Sequence, residues 1–327
     1  MRIVAETLDD LQHRVLKLLL DKPTHIIQAT RGQARELSAV CLVLKNPRAR
    51  LGRGTRQGRL FSSLGELLWY LAGSDNLEFI AYYIPEYRNE SSDGRTVRGA
   101  YGRRLFRSNQ IYKVVDLLRE KSTSRRAVLQ LFKQSDLRND IEVPCTISIQ
   151  LLVRDSKLDM IASMRSNDAY MGLPHDVFSF TMIQEIVARE LGIHVGRYTH
   201  FVGSLHLYEK HEDQARKFVQ DGYQRRQEMP AMPSGSPRSA IRALLSAERT
   251  IREHSGRPNK QPPLESYWTD LIMLLMAFKR IKRKDYRGAR RLKGKLSTNY
   301  YDQYIDLKAP RNPHPEDEPV QSALELN

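Results

Sequence analysis

Cys145 follows Pro144, and downstream of it lie Arg165-Ser166-Asn167-Asp168 and Gly172-Leu173-Pro174-His175-Asp176. One stretch thus holds a thiol, a cation of the kind that grips phosphate, and two acids. A cysteine thiolate is a strong nucleophile near neutral pH, although a lone cysteine is more often a small buried residue than a catalytic one. The surroundings favour chemistry. Arg165 is expected on the strand after that of Cys145, and Arg125-Arg126 lie just before another strand. Arginines close to a thiol lower its pKa and raise the thiolate fraction. They also hold phosphate through charge-assisted, often bidentate hydrogen bonds. One arginine is ordinarily a surface ion pair; several around one group of strands are harder to explain that way.

These residues need elements to position them. Thr7–Leu20 reads as a helix with Thr7 as N-cap, Asp10 three residues on, and an apolar stripe of Leu8, Leu11, Val15, Leu18 and Leu19. Leu37–Leu44 and Ala127–Phe132 read as strands, and Leu64–Leu71 and Ile111–Leu118 as helices, the first carrying Glu66 beside Trp69. Thr146–Val153 and Leu158–Met164 form a strand pair joined at Asp155-Ser156-Lys157. Val177–Leu191 is a strongly apolar helix ended by Gly192, and Tyr198–Tyr208 returns as a strand. The expected fold class is α+β, a mostly antiparallel or mixed sheet covered by helices. A Pro/Ser/Gly connector, Met229–Pro237, precedes helical patterns at Ser239–His254 and Ser266–Lys279. The expected organisation is a core over 1–228, a helical extension over 229–308 and a flexible, proline- and acid-rich tail over 309–327.

The chain has 327 residues, 40% hydrophobic and 28% charged, a globular composition. No apolar run reaches the length of a membrane span. The N-terminus lacks the layout of a signal peptide, and two cysteines do not make a disulfide framework, so a cytoplasmic setting is expected. The net charge of +15 points to anionic partners: nucleic acid, anionic membrane or phosphorylated small molecules. The bases cluster at Arg48–Arg59, Arg95–Arg107 and Phe278–Lys295; the last reads first as solvated helix faces. Charge alone does not separate a nucleotide enzyme from an RNA-binding protein.

Several short pieces occur together in order: Thr30-Arg31-Gly32, Glu66-Leu67-Leu68-Trp69-Tyr70-Leu71, Ala100-Tyr101-Gly102, Ser124-Arg125-Arg126, Pro144-Cys145, Arg165-Ser166-Asn167-Asp168, Gly172-Leu173-Pro174 and His206-Leu207-Tyr208. With these, residues 5 to 220 resemble the thymidylate synthase superfamily, which includes the deoxycytidylate and cytidylate hydroxymethylases. The resemblance implies that Cys145 adds to C6 of a pyrimidine nucleoside monophosphate. Arg31, Arg165 and Ser166 would hold its 5′-phosphate, and His206 and Tyr208 its sugar. Arg125 and Arg126 would reach the partner subunit's phosphate site, making a homodimer. Glu66 would organise water and proton transfer, and Tyr101 would help remove the C5 proton. Asp168, Gly172 and Glu66 would face 5,10-methylenetetrahydrofolate, the one-carbon donor. Plainer uses exist for several of these: Glu66 facing solvent, Tyr101 and Tyr208 as core aromatics, Asp168 and Asp176 as helix caps.

Departures from the family pattern refine the expectation. Where synthases acting on dUMP carry Phe-Asn, this chain has His175-Asp176. An acid suits cytosine, accepting from its exocyclic amine and sharing a proton with N3. Residues 81–87 contain no tryptophan, where methylating relatives shield the reactive methylene from water. The C-terminus, ending Gln321-Ser322-Ala323-Leu324-Glu325-Leu326-Asn327, is a poor lid, and Thr146 follows Cys145 where histidine is usual. The expected activity is 5-hydroxymethylation of CMP or dCMP, for modified DNA or a nucleoside natural product such as an antibiotic. Methylation of dUMP and a non-catalytic RNA-binding role are the rivals. Membrane association is not expected, nucleic acid is a disfavoured partner, and no metal is implied. Ribose and deoxyribose are not distinguished.

Overall fold

The computed structural model describes residues 1–29, 31–52, 54, 59–138, 143–253 and 263–310. Thr30 and the tail beyond Pro310 lie outside them, so the expectations placed there have no structural counterpart.

The described residues divide into two compact units, Met1–Pro237 and Arg238–Asn327. The first unit runs β1 (Arg2–Ala5), α1 (Leu8–Asp21), β2 (His25–Ala29), β3 (Gly32–Leu44), α2 (Leu60–Leu71), α3 (Leu77–Tyr83), α4 (Gln110–Glu120), β4 (Val128–Gln130), β5 (Thr146–Arg154), β6 (Lys157–Asp168), α5 (Gly172–Leu191), β7 (His194–Tyr208) and α6 (Glu212–Gln220). Its strands form one seven-stranded mixed sheet in the order β1-β3-β7-β6-β5-β4, with β2 also paired to β3. This is the expected α+β architecture.

Local chemistry explains most boundaries. Thr7 caps α1 by accepting from the Asp10 amide at 3.1 Å, and Leu8, Leu11, Val15 and Leu19 of its stripe are buried. The β5–β6 turn places Asp155 and Ser156 at φ 49° and 55°, the left-handed pair a two-residue hairpin needs. Gly192 ends α5 at φ 68°. The helix α5 covers the sheet with an almost wholly buried run from Val177 to Ala188.

Two expectations need correction. The α5 helix starts at Gly172, five residues before Val177. Pro174 sits in its first turn, where no intrahelical N–H is required, so the proline does not delay the start. Asp176 is therefore inside the helix and does not cap it. The strand expected over Ala127–Phe132 is only Val128–Gln130.

The sheet face away from α5 is less covered. Across it lie Cys41, Ser148, Ser163 and Phe201 in register, Phe201 being 44% exposed. Ile147, at the β5 irregularity, and Val128 are exposed as well.

The connector after Met229 is tied to the first unit. The Met229 amide donates to the Arg48 carbonyl and that of Met232 to Glu185 Oε1, both at 2.9 Å. The second unit contains α7 (Arg238–Glu253), α8 (Ser266–Lys282), α9 (Tyr286–Lys293) and α10 (Asp302–Lys308). Asp270 of α8 binds the Ser297 hydroxyl at 2.5 Å and its amide at 2.9 Å, holding the α9–α10 link. Among the described residues no helix is long and apolar enough to cross a membrane.

Candidate active site at the meeting of four strand ends

Strand direction assembles the site. The strands β6 and β7 run parallel and finish together, with Asp168 opposite His206. The strand β3 runs antiparallel to β7, and β5 to β6, so both begin at that same end: Ala34 faces Tyr208, and Thr146 faces Met164. Arg31 and Cys145, just before these two strands, therefore meet Arg165–Asp168, His206 and Tyr208. The helix α5 then turns back over the strand ends, and α2, packed against α5, brings in Glu66.

Around Cys145 the backbone is pinned. The Arg165 amide donates to the Cys145 carbonyl at 2.8 Å. The Arg165 guanidinium donates to the carbonyls of Pro144 and Val143, each at 3.0 Å. The Thr146 amide donates to the Tyr101 hydroxyl at 3.0 Å, placing that phenol beside the thiol. Gly102 permits this approach: a Cβ there would lie 2.6 Å from the Tyr70 backbone. Burial pushes the Cys145 thiol upward; Arg165 and, more weakly, Arg31 pull it down, and Asp176 pushes it up. The expected arginine effect is present, but desolvation outweighs it, so the resting group favours the thiol. Burial likewise raises the Tyr101 phenol well above its ordinary range, with Cys145 and Asp176 adding to it.

Asp176 is buried, and Asn167 Nδ2 donates to its Oδ2 at 2.7 Å. Burial first, and the nearby Glu66 second, hold its carboxyl well above the usual carboxylate range. The neutral acid, which can both donate and accept, is thus favoured. Gly172 keeps this place open, since a Cβ there would sit 3.1 Å from Asn167 Nδ2 and 3.7 Å from Asp176 Oδ2.

Glu66 is buried on α2, and its Oε1 accepts from the Tyr87 hydroxyl at 2.5 Å. Burial raises it to about 7, against the opposing pull of the Tyr87 and Tyr70 hydroxyls. That value suits a group exchanging protons near neutrality. Glu66 Oε2, Asn167 Oδ1 and the Thr146 hydroxyl are buried with no hydrogen-bond partner among the described residues. Such atoms are costly unless a bound polar group satisfies them.

The remaining expected residues divide. Ser166 Oγ lies 3.4 Å from His206 Nδ1, and the His206 and Tyr208 rings meet edge-on with centroids 4.8 Å apart. Burial raises the Tyr208 phenol, while Arg31 lowers it. Arg31 itself forms an ion pair with Glu90. Asp168 accepts from the amides of Tyr170 and Met171 at 2.8 and 2.9 Å, so it does cap the turn into α5. Arg125 and Arg126 are exposed ahead of β4, away from the Cys145 cluster, and have no ion pair among the described residues.

Tyr87 and Asn167 were not assigned roles from sequence. Asn167 lies inside the Arg165–Asp168 motif, and Tyr87 inside the tryptophan-free segment, so both carried a signal. His175 accounts for the other half of its dipeptide. Burial and Arg59 lower it to about 4, leaving it neutral. Its Nδ1–H therefore donates to the Met171 carbonyl, and Nε2 accepts from the Ser62 hydroxyl, both at 2.9 Å. It ties the start of α5 to the start of α2.

A family model described as thymidylate synthase matches residues 52–243. The chain is 34% identical over 162 residues to the deoxyuridylate hydroxymethyltransferase of Pseudomonas phage M6, covering 47% of this chain and 46% of that one. It is 31% identical over 198 residues to the deoxyuridylate hydroxymethyltransferase of Delftia phage PhiW-14, covering 56% of each. The chain spans about half the length of these curated relatives.

Proposed function

The chain belongs to the thymidylate synthase family, and from that premise we propose that it is a folate-dependent pyrimidine nucleotide 5-hydroxymethyltransferase acting on CMP or dCMP. The Cys145 sulfur adds to C6, which makes C5 a carbon nucleophile. Arg165, Arg31 and Ser166 bind the 5′-phosphate, and the phosphate takes up the cations that otherwise face the thiol and Glu90. His206 and Tyr208 bind the sugar. Tyr101, beside the thiol, relays the proton leaving C5.

Methylenetetrahydrofolate would supply the one-carbon unit to C5 when bound, the folate nitrogen giving up its bond to that carbon and leaving as tetrahydrofolate before water adds. Asp168, Gly172 and Glu66 would hold it, and the buried, partnerless Glu66 Oε2 fits a polar ligand. Glu66, raised to about 7, holds the water and takes its proton as oxygen adds to the exocyclic carbon. Sulfur then leaves C6 and the ring double bond returns.

The observation that carries the substrate assignment is the buried Asp176. As a neutral acid it donates to cytosine N3 and accepts from the 4-amino group, with Asn167 supporting the accepting oxygen. The relatives' names favour a second reading, uracil. A neutral acid also fits uracil when its proton points at O4 and its other oxygen accepts from N3–H. Mass analysis of CMP, dCMP, UMP and dUMP incubated with methylenetetrahydrofolate tests both. A gain of a hydroxymethyl group on the cytosine nucleotides is expected. Faster turnover of dUMP without dihydrofolate release establishes the second reading, and dihydrofolate release with a methylated product overturns hydroxymethylation.

The same proposal includes a homodimer across the exposed sheet face, with Arg125 and Arg126 completing the partner subunit's phosphate site. A C145A chain and an R125A/R126A chain, each inactive alone, are expected to regain activity on mixing, because one site of the mixed dimer is then intact. Failure to regain it while dimers form removes this part.

A further inference from the structure

The second unit carries a charge pattern that the nucleotide chemistry does not use, and it lies almost wholly beyond the matched family segment. From Arg283 to Lys295 there are seven bases and one acid, Asp285. Some of these cations serve the fold. Lys293 pairs with both oxygens of Asp306 at 2.8 Å, Arg290 donates to the Ala309 carbonyl at 3.0 Å, and the one acid, Asp285, is paired with Arg280 from outside the stretch. Asp285 also caps α9, accepting from the Gly288 amide at 2.7 Å.

Arg283, Arg287, Arg291 and Lys295 do none of this. They recur every fourth residue, all four are exposed, and no ion pair engages any of them among the described residues. Arg287 and Arg291 lie one turn apart on α9, a rise of about 6 Å. Ala289, buried, lies on the opposite face of the same helix. Arg287 and Arg291 thus look outward from α9, while Arg283 closes α8 just before it and Lys295 follows its end.

We infer that this row is a docking surface for the phosphate backbone of double-stranded DNA, contacted without regard to sequence. Duplex DNA presents the dense, regular negative charge that an exposed row of three guanidinium groups and one ammonium complements. Single strands are usually gripped through stacked aromatics, and Tyr286 of α9 is half-buried. Membrane surfaces call for large apolar side chains beside the bases, and none of the exposed large apolar residues among those described belongs to α9.

Anisotropy of a labelled 20-base-pair duplex with the full chain tests this. If all four cations contact phosphate, affinity falls about 100-fold between 50 and 200 mM salt. R283E/R287E/R291E/K295E is expected to bind at least ten-fold more weakly at 50 mM salt. The charge-matched K22E/K113E/K121E/K217E, altered at exposed lysines of the first unit, is expected to bind within three-fold of the parent. R287A/R291A, the milder variant, should lose a smaller part. Thermal melting and nucleotide turnover check that each chain is folded. Equal losses in both quadruple variants, no duplex binding at 50 mM salt, tighter binding of the single-stranded 20-mer, or preferential capture by phosphatidylglycerol vesicles each overturn the inference.

Discussion

Two buried acids lie on α5, Asp176 near its start and Glu185 further along, and their surroundings differ sharply. Glu185 Oε2 accepts from the fully buried Arg50 at 2.6 Å, and its Oε1 accepts from the Met232 amide at 2.9 Å. Both oxygens are occupied and a counter-charge is present. Asp176 has one neutral donor, Asn167, and its charged neighbour is another acid, Glu66. Burial is common to the two; what separates them is whether the charge is compensated. A compensated buried acid holds segments together, here α5, the Arg50 loop and the connector. An uncompensated one stores a readiness to change protonation, which marks a site of recognition or catalysis.

The largest test of that contrast is E185A. Breaking a buried ion pair leaves Arg50 uncompensated, and a loss of about 3–5 kcal/mol is expected in urea unfolding. D176N should cost within about 1 kcal/mol, and a loss as large as that of E185A would break the contrast. Glu66 comes next. Its folded pKa of about 7 lies above the 4.5 of an ordinary glutamate, so the folded chain binds the proton more tightly. The associated stability is complete below pH 4.5 and is lost as pH rises through 7, about 3 kcal/mol in all. E66Q should abolish this slope between pH 4.5 and 8, together with the matching limb of the pH–rate profile.

A smaller effect concerns the base. D176N should shift the ratio of kcat/KM for cytosine over uracil nucleotides about 100-fold toward uracil, as mispaired buried groups cost about 1–3 kcal/mol each. Unchanged preference would sever Asp176 from base selection. Y87F removes the hydroxyl that favours ionised Glu66, so the Glu66 limb should move to higher pH by up to about one unit. Finally, iodoacetamide should alkylate Cys145 with a midpoint above that of free cysteine, and R165A should raise it further, because burial is the largest influence and Arg165 opposes it.

Much of this was legible in the chain because it is local. Thr7 and Asp10 wrote the start of α1, Asp155-Ser156 the hairpin, and Gly192 the end of α5. The order of motifs gave the cluster around Cys145, since each marks the end of an element. The parts that stayed hidden are tertiary. Tyr87 reaches Glu66 only because α3 and the turn after it fold back onto α2. The direction of the Cys145 shift depends on burial, which a count of nearby arginines does not contain. The helix start at Gly172 was obscured by Pro174, which reads as a break in a linear pattern but is harmless in a first turn. Asp168 does serve the turn into α5, so one of the plainer uses weighed for it is real.

The tight Asp155–Ser156 turn sits at the opposite end of β5 and β6 from Cys145 and Asp168. The strands separate it from the reacting atoms by roughly 30 Å, taking about 3.3 Å for each of nine residues. A dye or short peptide tag joined there would be fixed to the sheet of the first unit yet remote from Cys145. This makes the turn a natural handle for labelling or immobilising the folded protein.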